Sequence, residues 1–120
     1  MTGGAGYIGS HSVLALMEAG YDPIVLDNFS NSSKESISGI ERIYGNGPVV
    51  IEGNTGNSSL LMDIFSSYEV NSVLHFSGLK SVEESMADPL KYYTENVGSS
   101  LSLLRTMQEA SIQTIIFSSS

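Results

Sequence analysis

Three glycines near the start of the chain, Gly3, Gly6 and Gly9, are spaced three residues apart. Glycine can adopt a positive φ, and its missing Cβ lets a phosphate approach the backbone amides. A helix that follows such a turn points its unpaired N–H groups and its positive end at the same anion. The spacing therefore fits a dinucleotide-binding loop: the first glycine makes the turn, the second admits a pyrophosphate, and the third lets the helix pack on a sheet. A plain turn is the alternative, because glycine makes up 12 of the 120 residues.

An acidic residue stands where a second ligand contact is expected. Asp27 lies 18 residues after Gly9 and directly follows the apolar run Ile24-Val25-Leu26. A carboxylate at the end of the second strand can accept hydrogen bonds from the adenosine ribose, and it repels a 2′-phosphate. This position favours NAD over NADP as the cofactor, and a strand-end acid in a turn is the alternative interpretation.

Strands and helices alternate along the chain. Apolar runs predict strands at 23–26, 49–51, 72–76 and 114–117. Periodic apolar residues predict helices over 9–19, after an N-cap at Ser33, after an N-cap at Asn57 or Ser58, and over 89–109. The last of these helices carries the apolar stripe Leu90, Tyr93, Val97, Leu101 and Leu104.

This order predicts an α/β fold, a Rossmann-like doubly wound parallel sheet with every strand short and buried on both faces. Only Met1 and Thr2 precede Gly3, so the first, central strand is missing from the sequence. We expect a chain shortened at both ends, with two strand edges left unpaired and poor stability in isolation.

Composition narrows the class of protein. The chain of 120 residues has a length that suits one domain. Its net charge of −8 argues against a nucleic-acid partner or an anionic membrane surface. No apolar run approaches the roughly 20 residues of a membrane span. The chain has no cysteine, which is compatible with the cytoplasm, and its two isolated histidines predict no metal site. His75 lies within an apolar run, so we expect it to be a core residue rather than a base. We expect Glu83 and Glu84 to lie on a solvated surface.

Several longer stretches resemble one family. Residues 2–10 and 26–32 are similar to the extended short-chain dehydrogenase/reductase family. Within that family, residues 75–85 (His-Phe-Ser-Gly-Leu-Lys-Ser-Val-Glu-Glu-Ser), 89–93 and 116–120 resemble its nucleotide-sugar 4-epimerases. The resemblance runs over the whole chain but covers only the first part of the family's cofactor domain. It implies that residues 1–120 are a partial NAD-binding domain, with the substrate domain absent.

The resemblance implies a set of NAD-binding positions. They are Gly3, Gly6, Tyr7, Ile8 and Gly9 at the pyrophosphate, Asp27, Asn28, Asn31 and Ser32 at the adenosine, Asn54 and Thr55 at the adenine, and Phe76, Ser77, Gly78, Lys80 and Asn96 toward the nicotinamide ribose. Two positions depart from the family's pattern. Asn54 replaces an acid, and Glu95 replaces the first of two asparagines, which puts that contact in doubt.

The same resemblance implies a reaction. Ser120 would be the catalytic hydroxyl, but no tyrosine of this chain has the lysine four residues on that the family's Tyr-x-x-x-Lys base requires. The complete enzyme would act on UDP-glucose and UDP-galactose, moving a hydride from sugar C4 to NAD and back, as a homodimer. This chain alone would be inactive. Two alternatives are another nucleotide-sugar dehydratase or decarboxylase of the family and a non-catalytic nucleotide-binding remnant.

Overall fold

The structure is a computed structural model and describes residues 1–119. Helices and strands alternate as the sequence predicts. In chain order the elements are α1 (Tyr7–Glu18), β1 (Ile24–Asp27), α2 (Lys34–Tyr44), β2 (Val49–Glu52), α3 (Ser58–Ser67), β3 (Val73–His75), α4 (Val82–Ala87), α5 (Pro89–Tyr92), a π-helix (Tyr93–Gly98), α6 (Ser99–Glu109) and β4 (Ile115–Phe117).

All strand pairs are parallel. β1 pairs with β2 and β3 pairs with β4. Thr2 lies between the two pairs and forms a parallel bridge to Leu26 on one side and to His75 on the other. The expectation that these facing edges are wholly unpaired is therefore wrong at their carboxyl ends. Thr2 bonds to Leu74 and Phe76 on one side, and its neighbours Met1 and Gly3 bond to Leu26 on the other.

The helix ends follow from local sequence. Ser33 caps α2 by accepting a hydrogen bond from the Glu35 amide, and Asn57 caps α3 through the Leu60 amide, as predicted. α1 begins at Tyr7, two residues earlier than predicted, because Gly6 is extended and serves as its N-cap.

The last helical region differs from the prediction of one regular helix. Asp88 caps α5 with Pro89 in its first turn, as expected, but residues 93–98 then form a π-helix before α6. The apolar stripe also faces solvent: Leu90 is 78% exposed and Leu101 50%, whereas Leu103 and Met107 are buried. The three-and-four spacing identified a helix, but the wider π turn and the packing of α6 against α3 select a different face.

Two hydrophobic clusters lie on opposite faces of the sheet. Val25 packs with residues of α1 and α2, while the next residue, Leu26, packs with residues of α3 and α6. This alternation covers β1 with helices on both sides and confirms the doubly wound class. The expectation that every strand is buried on both faces is wrong for the outer ones, since Val49 of β2 and Phe117 of β4 are exposed. Among residues 1–119, no helix is long and apolar enough to cross a membrane.

Candidate functional site

A large cavity lies at the carboxyl ends of the strands. Its volume is about 410 Å³, within the range of small-molecule sites. The chain passes from β1 outward to β2 and then crosses to β3 on the other side of Thr2, so the cavity sits where the strand order reverses. Ligands of open α/β sheets bind in this crevice.

Steric contacts of the backbone shape the glycine turn. Gly3 has a φ of +68°, and a Cβ there would lie 2.6 Å from the Ser77 amide nitrogen. A Cβ on Gly9 would lie 2.1 Å from the Gly3 carbonyl oxygen. At Gly6 the nearest atom, the Gly3 carbonyl oxygen, would be 3.4 Å away, which is ordinary contact, so a methyl group there fits without a clash. Gly3 and Gly9 are thus required by the turn itself, whereas Gly6 leaves room for a ligand.

The N-terminus of α1 opens on the cavity. Gly6 provides no side-chain cap, and the first turn holds no acidic residue. Tyr7 and Ile8 line the cavity, and amides of a first helical turn have no intrahelical partner. These donors, together with the positive end of the helix, form a site suited to an anion such as a diphosphate.

Asp27 joins the glycine turn to the next loop. Its Oδ2 accepts a hydrogen bond from the Ala5 amide at 2.9 Å, and its Oδ1 accepts from the Phe29 amide and the Ser32 hydroxyl at 3.0 and 2.9 Å. The carboxylate is 8% exposed and lines the cavity. It therefore faces the glycine turn, as the sequence analysis requires, and it also holds the two loops in place.

The loop after β1 meets the loop after β2. The Asn28 amide donates to Asn54 Oδ1 at 2.7 Å, while its own Oδ1 accepts from the backbone and hydroxyl of Ser30. Asn31 and Thr55 complete this side of the cavity. The amide oxygen of Asn54 thus already accepts one hydrogen bond within the protein.

The floor of the cavity contains a buried polar cluster. Thr2 and His75 are each 3% exposed, and the Thr2 hydroxyl lies 2.6 Å from His75 Nδ1. Ser77 Oγ lies 3.1 Å from the Thr2 hydroxyl and 2.9 Å from that of Thr55. Desolvation by burial lowers the pKa of His75, which favours the neutral ring. His75 is thus the predicted core residue.

Side-chain hydrogen bonds also hold residues 78–99, which form the rim of the cavity. The Leu79 amide donates to Asn96 Oδ1 at 2.7 Å, and Asn96 Nδ2 donates to the Leu79 carbonyl at 2.9 Å. The Tyr92 hydroxyl accepts from the Ser81 amide and donates to Glu84 Oε2 at 3.2 Å. Glu84, expected to be only a solvated surface residue, therefore also lines the cavity.

The structure gathers almost the whole predicted set. Every predicted NAD-binding position lines the cavity except Asn96, whose amide bonds to Leu79 instead. The cofactor contacts of all these residues stay predictions. Ser120 lies outside the described residues. Sequence reasoning missed the lining residues Leu26, Ser30, Gly53, Leu79, Ser81, Tyr92 and Ser99. Within residues 1–119, Lys80 is the single cation along the cavity wall, facing the acids Asp27, Glu84 and Glu95.

The fold and this cavity define a class, that of Rossmann-like nucleotide-binding proteins whose anion site is a helix N-terminus at the switch point of a parallel sheet. The sequence places the chain within it: residues 1–120 match the model of the NAD dependent epimerase/dehydratase family. The chain belongs to that family.

Individual relatives agree with this assignment. The chain is 50% identical over all of its 120 residues to a UDP-glucose 4-epimerase from Yersinia enterocolitica, and it spans 36% of that relative's length. It is also similar to the crystal structure of a UDP-glucose 4-epimerase from Stenotrophomonas maltophila with bound NAD and formylated UDP-arabinopyranose. The TM-score is 0.96 and the identity 39%, over 99% of this chain and 35% of that one.

A second solved structure gives the same match. It is a UDP-glucose 4-epimerase from Bifidobacterium longum in complex with NAD+ and UDP, with a TM-score of 0.96, 40% identity, and coverage of 99% of this chain and 36% of that chain. The chain thus spans little more than a third of the length of either solved relative.

Proposed function

We propose that this chain is the NAD-binding part of a UDP-glucose 4-epimerase. The observation that carries the proposal is the 2.9 Å hydrogen bond from the Ala5 amide to Asp27, which brings the strand-end carboxylate against the glycine turn at the N-terminus of α1. The bound NAD of the two solved relatives supports the same cofactor here. Residues 1–120 would form most of a cofactor domain, with the substrate domain supplied by further sequence.

The free structure fits the cofactor. Gly6 lines the cavity without a side chain, beside unpaired helix amides, as a diphosphate requires. Asp27 has accepting capacity for ribose hydroxyls, because a carboxylate offers about four lone-pair sites and three donors reach it. When bound, NAD supplies the hydride chemistry at the sugar, and the residues of this chain bind and orient it.

A glycine pair tests the cofactor site. Gly6→Ala fits the free turn but places a methyl group where the diphosphate would approach. We expect NAD affinity, measured by calorimetric titration, to fall about tenfold or more. Gly39→Ala in α2 is the matched control, since a Cβ there meets nothing within 4 Å. A wild-type chain that binds no NAD, or a Gly6→Ala chain that binds it equally well, contradicts the proposal.

The preference for NAD over NADP tests the proposed role of Asp27. Its carboxylate would repel a 2′-phosphate, so we expect NADP to bind more weakly than NAD in the same titration. Asp27→Asn removes this charge but keeps an acceptor oxygen, and the preference should shrink. Equal affinities of the wild type for NAD and NADP would remove the ribose role from Asp27.

The reaction belongs to the complete enzyme in this proposal, with UDP-glucose and UDP-galactose as substrates. We infer that the 120-residue chain alone does not turn over, because it holds no Tyr-x-x-x-Lys pair. Incubating the chain with NAD and UDP-galactose and analysing the nucleotide sugars by chromatography tests this. Formation of UDP-glucose would contradict it, and NAD binding without turnover is expected.

The homodimer also remains a proposal. The exposed apolar stripe of α5, the π-helix and α6 supports it, since a contiguous patch of this kind marks an interaction surface. Leu101→Lys in the complete enzyme should shift sedimentation toward the monomer, and an unchanged sedimentation coefficient would contradict this surface as the interface. The cytoplasmic location and the lack of nucleic-acid and membrane partners stay predictions.

A further inference from the structure

A chain of hydrogen bonds runs from the π-helix to the floor of the cavity. The Ser100 hydroxyl donates to the Asn96 carbonyl at 2.5 Å and lies 3.0 Å from His75 Nε2. On the other side of the ring, His75 Nδ1 lies 2.6 Å from the Thr2 hydroxyl. Thr2 contacts Ser77, and Ser77 contacts Thr55. His75 thus links the rim of the cavity to its floor.

The hydrogen bond to the Asn96 carbonyl determines which group donates in every other hydrogen bond of this series. A carbonyl oxygen can only accept, so the hydroxyl proton of Ser100 points at Asn96. Toward His75 the Ser100 oxygen then acts as the acceptor, and Nε2 must carry the ring proton. A neutral imidazole has one N–H, so Nδ1 is an acceptor.

The direction continues beyond the ring. Because Nδ1 accepts, the Thr2 hydroxyl donates to it, and the Thr2 oxygen accepts from the Ser77 amide and hydroxyl. Since Ser77 donates its hydroxyl proton to Thr2, the Thr55 hydroxyl donates to Ser77. Both protons point into the protein, and the remaining lone pairs of Ser77 and Thr55 are left to face the cavity that these residues line.

We propose that His75 is a positioning residue that, through one fixed tautomer, makes Ser77 and Thr55 hydrogen-bond acceptors toward the ligand. The floor would therefore select ligand groups that donate, hydroxyl or amino groups, over groups that only accept. The tautomer follows from the free structure alone, while the effect on a ligand rests on the proposed NAD site.

The surroundings of the ring favour this arrangement. His75 is buried between Thr2 and Ser100, and its ring centroid lies 5.4 Å from that of Phe117. Among residues 1–119, no carboxylate pairs with it. Its burial also lowers its pKa and keeps the ring neutral. A protonated ring would donate at both nitrogens. In the reversed arrangement Thr2 donates to Ser77 and Ser77 donates to Thr55, so that the Thr55 proton is presented to the cavity.

The first experiment reads the ring directly in the free 120-residue chain. Long-range ¹H–¹⁵N correlation spectra at pH 7.5 should show His75 with a protonated Nε2 and an unprotonated Nδ1. An Nδ1–H tautomer, a mixture of tautomers, or free-solution titration would overturn the proposal. Ser100→Ala should admit the second tautomer, whereas Ser102→Ala, which removes a bond to the Gly56 carbonyl instead, should not. Equal spectra for these two variants would also overturn it.

The second experiment measures the effect on the site. Thr2→Val keeps the shape of the side chain but removes the link between His75 and Ser77, and Thr2→Ser keeps the hydroxyl. We expect about fivefold weaker NAD binding for Thr2→Val and a smaller change for Thr2→Ser, as the loss of one oriented hydrogen bond predicts. Equal binding by both variants contradicts the effect of His75. Failure of the wild type to bind NAD contradicts the proposed function instead, and the spectra still decide the tautomer.

Discussion

The opening turn (residues 2–9) and the rim (residues 78–99) enclose the same cavity by different means. Backbone contacts hold the turn: a Cβ at Gly3 or Gly9 would collide with main-chain atoms within 3 Å. The rim consists of a loop, two short helices and a π-helix without buried residues, tied by the side chains of Asn96 and Tyr92. We therefore expect the turn to fix where a ligand binds and the rim to be the part that adapts.

The largest effect should come from the turn. Gly9→Ala places a methyl carbon 2.1 Å from the Gly3 carbonyl oxygen, and neither backbone segment can move without breaking the turn. We expect a loss of about 3 kcal/mol or more in the free energy of unfolding, measured by urea denaturation. Gly6→Ala in the same turn should lose about 1 kcal/mol or less. Equal losses would show that the turn is not sterically fixed.

The next largest effect should come from the hydrogen bonds of Asn96, which hold the rim. Asn96→Ala removes both hydrogen bonds to the Leu79 backbone and leaves that half-buried amide and carbonyl without these partners. We expect a loss of about 2 kcal/mol, together with faster hydrogen exchange in residues 78–81. Asn46→Ala, at an exposed turn, is the control and should change neither quantity. Unchanged exchange in Asn96→Ala would mean that the loop is held by other contacts.

The buried histidine predicts a smaller dependence on pH. Because burial lowers the pKa of His75 in the folded chain, the unfolded chain takes up the proton first as pH falls. The contribution of His75 should be complete above its unfolded pKa of about 6.5 and be lost as the pH falls from there toward the lower folded pKa. Urea denaturation of the wild type and His75→Gln from pH 7.5 to 5 should show the steeper decline in the wild type. Parallel curves would contradict this linkage.

The smallest effect should come from the Tyr92 hydroxyl, which also holds the rim. Tyr92→Phe removes a hydroxyl that bonds to the Ser81 amide and to Glu84, all at exposed positions. We expect about 0.5 kcal/mol or less, with faster exchange of the Ser81 amide alone. Tyr21→Phe, an exposed tyrosine on the far side of the sheet, is the matched control. A loss as large as that of Asn96→Ala would mean that the rim is more rigid than its exposure indicates.

The elements near the opening turn were the most predictable. Glycine spacing, the Asp27 position and the Ser33 and Asn57 caps depend on residues close in sequence, and the structure has them as predicted. The last helical region was less predictable. Its apolar stripe has helical spacing, but spacing alone cannot say which face meets the core when a π-helix shifts the phase. The roles of Asn96 and His75 depend on partners 17 and 73 residues away.

The sequence by itself determined the order of strands and helices, the glycine turn, the acid at the end of β1 and the family. The family follows from the resemblance of the longer stretches. The other features follow from backbone conformation, local capping and short-range periodicity, which operate over a few residues. Only the tertiary structure decided that Thr2 bridges the two strand pairs and that the stripe on α6 faces solvent. It also decided that Asn96 holds the rim of the cavity and that His75 contacts Thr2 at its floor. Hydrogen bonds and packing between distant segments set these features, because they arise only once the sheet brings its strand ends together.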